Sequence, residues 1–315
     1  MTELPEDQLE HYLVDVYSIE QQALAQLRTA PEIAGGAKLS HHFREHLAET
    51  EQQAEMVKDR LEAVGGSPSK VKDAVMRLGG KGFLLFARVQ PDTPGKLAAH
   101  AHAYEALEYA AYDLLIRAAQ KAGDQETVRV ATLIREQEGA MRDRLATDFD
   151  EAAEASLRAT GKPASETLPA YLADAHALES QVIQLLKRGD RLAGDARLAA
   201  IYQNHIAESE HHARLVEQRL EAMGSEPSIW KDTALRLGAL NWSFFFQAQK
   251  DTPAKLAAFV YAVEYLEIAG YELLKRVAQR SGNTAIAGIC DRILQEERAM
   301  ADRLLAAFDR AFAAR

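Results

Sequence analysis

Apolar residues recur at the 3.6-residue period of an amphipathic helix in eight segments of the chain. These run roughly from 6 to 30, 37 to 64, 94 to 122, 124 to 158, 166 to 189, 195 to 223, 253 to 281 and 283 to 313. Strand-like alternation is absent throughout. Gly123-Asp124 and Gly282-Asn283 separate the third helix of each set of four from the fourth by a tight turn, whereas about thirty residues join the second to the third. The pattern therefore predicts an all-α protein of two four-helix bundles, each with a long crossover between its second and third helices. Each crossover is expected to hold a short helix, with Val71, Val75, Leu78 and Phe83 in one and Trp230, Leu235, Leu237 and Trp242 in the other.

The two sets of four are copies of each other. His46-Leu-Ala-Glu49-Thr-Glu51 returns 159 residues later as His205-Ile-Ala-Glu208-Ser-Glu210, and Asp92-Thr-Pro-Gly-Lys-Leu-Ala-Ala returns as Asp251-Thr-Pro-Ala-Lys-Leu-Ala-Ala. The copies are read as residues 1–159 and 160–315, joined by a short linker from Thr160 to Pro169. Its length suits two bundles packed as a pseudo-dimer, a covalent version of a homodimer. Further oligomerisation stays open.

Composition narrows the function. A formal charge of -10 makes nucleic acid and anionic membranes poor partners. No stretch is long and apolar enough to span a bilayer, and Met1-Thr-Glu-Leu-Pro-Glu-Asp has no basic and apolar leader, so a cytoplasmic location is expected. The single cysteine, Cys290, lies on an apolar helix face and reads as an inert buried thiol. No nucleophile triad, phosphate-cradling glycine loop or nucleotide fingerprint is present, so hydrolysis and nucleotide chemistry have no support.

The chemistry is in carboxylates on the wrong face. At 100° per residue, Glu20 sits in the middle of the stripe Leu13, Val16, Ala23, Leu24 and Leu27. Glu108 is central among Leu97, Ala101, Tyr104, Ala111 and Leu115, with Glu105 toward the edge, and Glu138 is central among Val130, Ile134, Met141, Leu145 and Phe149. The second helix has a broad stripe through Phe43, Leu47, Thr50, Ala54, Val57 and Leu61, with His46, Glu49, Gln53 and Met56 on its flank. The other copy repeats the set as Glu179, Glu208, Glu264, Glu267 and Glu297. Isolated ionised carboxylates in a core cost several kcal/mol each. Taken singly, each could be matched by an arginine at a helix boundary. Taken together, in both copies, they predict divalent metal held by glutamate and imidazole.

These residues resemble the ferritin-like superfamily and, within it, the YciF-type bacterial stress-protein family. The resemblance is carried by Tyr17-Ser-Ile-Glu20-Gln, Glu45-His-Leu-Ala-Glu49-Thr, Glu105-Ala-Leu-Glu108-Tyr-Ala-Ala-Tyr112 and Glu136-Gln-Glu138-Gly-Ala-Met-Arg-Asp143, with equivalents in the second copy. It implies a helical bundle with a dinuclear iron or manganese centre, usually dimeric, and a role in stress. The usual Glu-x-x-His of the fourth helix is missing, because Met141 and Met300 stand three residues after Glu138 and Glu297.

The copies differ in histidine. Helix two reads His46-x-x-Glu49-x-x-x-Gln53 in the first and His205-x-x-Glu208-x-x-x-His212 in the second, and Tyr17 becomes His176. The candidate ligands are thus Glu20, His46, Glu49, Glu105, Glu108 and Glu138, then His176, Glu179, His205, Glu208, His212, Glu264, Glu267 and Glu297. Glu105 could be a ligand or an outer base, and Tyr112 and Tyr271 could donate hydrogen bonds to ligating carboxylates. His212 is preferred over His211, while His41, His42, His100 and His102 read as surface or interface residues. The expected activity is an oxidase, peroxidase or catalase-like reaction with oxygen or peroxide. The alternatives are iron sequestration without turnover and a metal-free helical scaffold that binds a protein partner.

Overall fold

The computed structural model describes residues 4–67, 93–225 and 251–314. The chain divides into two compact units, 1–159 and 160–315. The first contains α1 (Pro5–Leu27), α2 (Ala30–Ile33), α3 (Ala37–Ala63), α4 (Thr93–Ala122), α5 (Gln125–Ala146) and, across the boundary, α6 (Phe149–Thr160). The second contains α7 (Ala164–Leu192), α8 (Ala196–Ala222), α9 (Thr252–Arg280) and α10 (Thr284–Ala313). All regular structure among the described residues is helical. No described helix is long and apolar enough to cross a membrane.

Each unit is a ring of four helices. In the first, α1 packs on α3 and α4, and α5 closes the ring against both α3 and α4. In the second, α7 packs on α8 and α9, and α10 closes against α8 and α9. The turns that pair the last two helices follow local chemistry. Gly123 and Gly282 take φ of 76° and 74°, a left-handed conformation that favours glycine at the end of a helix. Asp124 then accepts from Thr127 N at 3.0 Å, and Asn283 from Ile286 N at 3.1 Å, to cap the next helix.

The structure corrects the predicted elements in two places. The expected helix from 124 to 158 is broken at Thr147-Asp148, while its counterpart α10 runs unbroken. The cause is a polar cluster: buried Asp148 meets His42 Nδ1 at 2.6 Å and Lys38 Nζ at 2.7 Å, and its carbonyl accepts from Ala152 N at the start of α6. The second copy has Arg197, Ile201, Ala306 and Ala307 at those positions, so nothing draws its helix apart. The first helix likewise ends at Leu27, and α2 follows. His102 is buried rather than on the surface, its ring 5.2 Å from Phe149, as Tyr261 meets Phe308 at 5.7 Å in the second unit. Cys290 is buried, and burial pushes its thiol up to about 12. The expected crossover helices lie outside the described residues.

Candidate metal centres

Helix period brings the first group together. Glu105 and Glu108, three residues apart on α4, share a face with His46 of α3 and Glu138 of α5. One ligand atom from each of the four lies within 4.8 Å of the others, and all four residues are buried. His46 Nε2 stands 3.0 Å from Glu105 and 3.6 Å from Glu138. Glu105, expected near the stripe's edge, is 3% exposed, because α4 is covered by both α1 and α5. His46 and Gln53, expected on a flank, are buried, and Leu47 is only half-buried.

The second unit repeats this group as His205, Glu264, Glu267 and Glu297, with His205 Nε2 3.0 Å from Glu264 and 3.4 Å from Glu297. It also has another. His212 Nδ1 stands 2.9 Å from Glu297 and 3.3 Å from Glu179, and these three form a second set of converging ligand atoms. Glu297 belongs to both sets. A carboxylate with two oxygens can serve two neighbouring ions, as a dinuclear centre requires.

The remaining candidates take other places. Glu20 and Glu179 are buried on α1 and α7, and each accepts a hydrogen bond from a tyrosine hydroxyl, Tyr112 in one unit and Tyr271 at 2.6 Å in the other. Glu49 and Glu208 are not drawn into the groups. They lie on the rim, where Arg144 meets Glu49 at 3.0 Å and Arg303 meets Glu208 at 2.8 Å. Each also faces the Nδ1 of its histidine, at 3.3 Å for His46 and 2.9 Å for His205. A carboxylate there fixes the ring so that Nε2 points inward. His176 is half-buried and belongs to neither set, and His211 is exposed. Glu296 escaped sequence reasoning. It bonds His212 Nε2 at 2.6 Å from outside the site, and its only sequence signal is its place beside Glu297.

The electrostatics of these groups are those of sites short of positive charge. Burial, reinforced by neighbouring carboxylates, holds Glu108, Glu138 and Glu267 well above the ordinary carboxylate range. Burial also pushes Glu20 up to about 8 and Glu297 to about 7, and raises Glu179. Burial alone would lower the imidazoles. Glu105 overcomes it at His46, Glu264 with Glu208 pushes His205 up to about 11, and Glu179 with Glu297 does the same for His212.

The donor set fits a divalent cation. Both carboxylate oxygens of Glu108, Glu138, Glu264, Glu267 and Glu297, with His46 Nε2, His205 Nε2 and His212 Nδ1, are buried without a hydrogen-bond partner. The imidazole nitrogens lie at ion-pair distance from carboxylate oxygens but without hydrogen-bond direction. Native interiors leave few such atoms, and a cluster of them is a set that could hold a cation. Among the described residues, no lysine or arginine forms an ion pair with these buried glutamates; arginine reaches only the rim.

No solved structure matches the chain. A family model described as Domain of unknown function (DUF892) matches residues 5–158 and, a second time, residues 164–315. With two such matches spanning nearly all of its length, each over a bundle with the same buried histidine and glutamates, the chain belongs to the DUF892 family as a tandem pair of its domains.

Proposed function

We propose that each unit holds a pair of iron or manganese ions and that the loaded centres react with oxygen or peroxide in stress protection. The observation that carries this reading is the convergence of unpartnered, buried carboxylate and imidazole atoms, from three helices of the first bundle and, over its two sets, from all four of the second. The resemblance of the motifs to ferritin-like, YciF-type proteins supports the same reading.

In the first unit His46, Glu105, Glu108 and Glu138 would hold metal together with Glu20, and in the second His205, Glu264, Glu267 and Glu297 would do so with Glu179 and His212. When bound, iron or manganese supplies the electrons and the open ligand positions that oxygen or peroxide chemistry needs. The protein's own part is orientation, insulation and proton handling. Glu49 and Glu208 accept from Nδ1 of their histidines and keep Nε2 directed inward. Tyr112 and Tyr271 donate to Glu20 and Glu179, which leaves the second oxygen of each carboxylate available. Leu13, Phe43, Leu115 and Ile134, on the same helices, are buried and keep the bundle interior apolar, a setting in which charge interactions are stronger. Protons held by the raised carboxylates neutralise the metal-free site and leave as metal enters.

Elemental analysis of protein produced with iron and manganese supplied tests the reading. The expected content is about two ions per bundle, and fewer than about one per chain would overturn it. Peroxide or oxygen consumption by the loaded protein, against the same protein stripped by chelator, tests the activity.

A further inference from the structure

Gln53 and its counterpart His212 are a buried difference between the two units beside the candidate sites. His212 of the second unit bonds outward through Nε2 to Glu296 at 2.6 Å and presents Nδ1 to Glu179 and Glu297. The first unit has Gln53 and Gln137 at the equivalent positions. Gln53 is 1% exposed, and its Nε2 donates outward to Gln137 Oε1 at 3.2 Å. Its Oε1 is buried with no hydrogen-bond partner. The amide thus parallels the imidazole: its nitrogen is tied to Gln137 as His212 Nε2 is to Glu296, and its other polar atom is buried and unsatisfied. The repeat makes Glu20 and Glu138 the counterparts of Glu179 and Glu297, and Glu20 Oε2 and both oxygens of Glu138 are likewise buried and unpartnered.

A buried amide oxygen left alone costs about 1–3 kcal/mol. A divalent cation removes that penalty, since an amide carbonyl is an ordinary oxygen ligand for hard ions. We infer that Gln53 Oε1, Glu20 and Glu138 form a second cation position in the first unit, an all-oxygen counterpart of the position that Glu179, His212 and Glu297 form in the second. This rests on the metal reading proposed above and adds to it a difference in kind. The neutral oxygen gives a weaker site, better suited to Mn2+ than to ions that favour nitrogen, whereas imidazole raises affinity for Zn2+ and similar ions. One chain then carries two centres of unequal strength and unequal metal preference. Gln137 and Glu296 tune them: a neutral amide orients Gln53, while an acceptor carboxylate makes His212 a stronger donor.

The test uses the full chain with its second unit silenced by Glu264→Gln and Glu297→Gln, stripped of metal and dialysed against Mn2+ or, in parallel, Zn2+. Bound ions are counted by elemental analysis, and far-ultraviolet circular dichroism checks that each variant keeps its helices. The expected result is about two Mn2+ in the first unit, the second binding about tenfold or more weakly than the first. Gln53→Leu removes the weaker step and keeps the stronger. Gln53→His with Gln137→Glu strengthens that step by about tenfold or more and raises its preference for Zn2+ over Mn2+. If Gln53→Leu retains both steps, or the rebuilt pair leaves the second step unchanged, the inference is overturned. If Gln53→Leu loses its helices, the rebuilt pair decides alone. A wild-type chain that takes up no Mn2+ overturns instead the metal reading on which this one rests.

Discussion

In the second unit the carboxylate of Glu297 faces two imidazoles, His205 at 3.4 Å and His212 at 2.9 Å, while in the first the equivalent Glu138 faces His46 alone at 3.6 Å. The consequence is visible in their protonation. Burial raises both, but His212 and His205 restrain Glu297 to about 7, whereas Glu138 is held well above the usual range. A second imidazole thus offsets more of the effect of burial on the carboxylate that belongs to both ligand sets. The units also differ outside the site: the first has Lys38, His42 and Asp148 at a break between helices, where the second has Arg197, Ile201 and Ala307 and an unbroken helix.

The largest expected effect comes from the residue shared by both ligand sets. Glu297→Gln should empty the second unit of about two ions, whereas Glu264→Gln, which touches one set, should remove about one. Equal metal content in the two variants, measured by elemental analysis, would contradict a shared carboxylate. A smaller effect should follow at the bend. Asp148→Ala leaves His42 without its carboxylate and should destabilise the first unit by about 1–3 kcal/mol, with the share from Lys38 small because that side chain is half exposed. Chemical denaturation should show loss confined to one of two transitions. A change in the second unit's transition would break the contrast.

A third effect is in pH. In the metal-free chain, Glu20 and Glu297 bind protons more tightly folded than unfolded, so stability falls as pH rises from about 4.5 through about 7 to 8. His205 and His212 act in the same direction, with stability complete below about 6.5 and lost toward about 11. Melting of the metal-free protein should therefore fall between about pH 5 and about pH 9, and saturating Mn2+ should flatten the dependence. A metal-free chain that is more stable at the alkaline end would remove the carboxylates' protonation from the account.

Much of this was legible in sequence because helical period is covalent and local. Glu20, Glu108 and Glu138 stand at fixed angles to the leucines, isoleucines and alanines around them, so three of the four helices announced an inward carboxylate. The duplication fixed the pairing of copies, and comparison of the copies picked out Gln53 against His212. The second helix was harder. Its stripe is broad, and only packing against α1 and α5 decided that His46 and Gln53 are buried and Leu47 only half-buried.

What the sequence by itself determined is the helical class, the doubling and the ring of inward glutamates, since each follows from residues within a few turns of one another or from the repeat. What only the tertiary structure decided depends on partners far along the chain. Arg144 and Arg303, 95 residues away, hold Glu49 and Glu208 to the rim. Glu296, 84 residues from His212, fixes which of its nitrogens faces inward. Asp148, 106 residues from His42, breaks a helix that its own neighbours would have continued. A helix's period sets the angles between its own side chains, but its rotation against its neighbours is chosen by the whole bundle, and that rotation places each polar group either among carboxylates or in water.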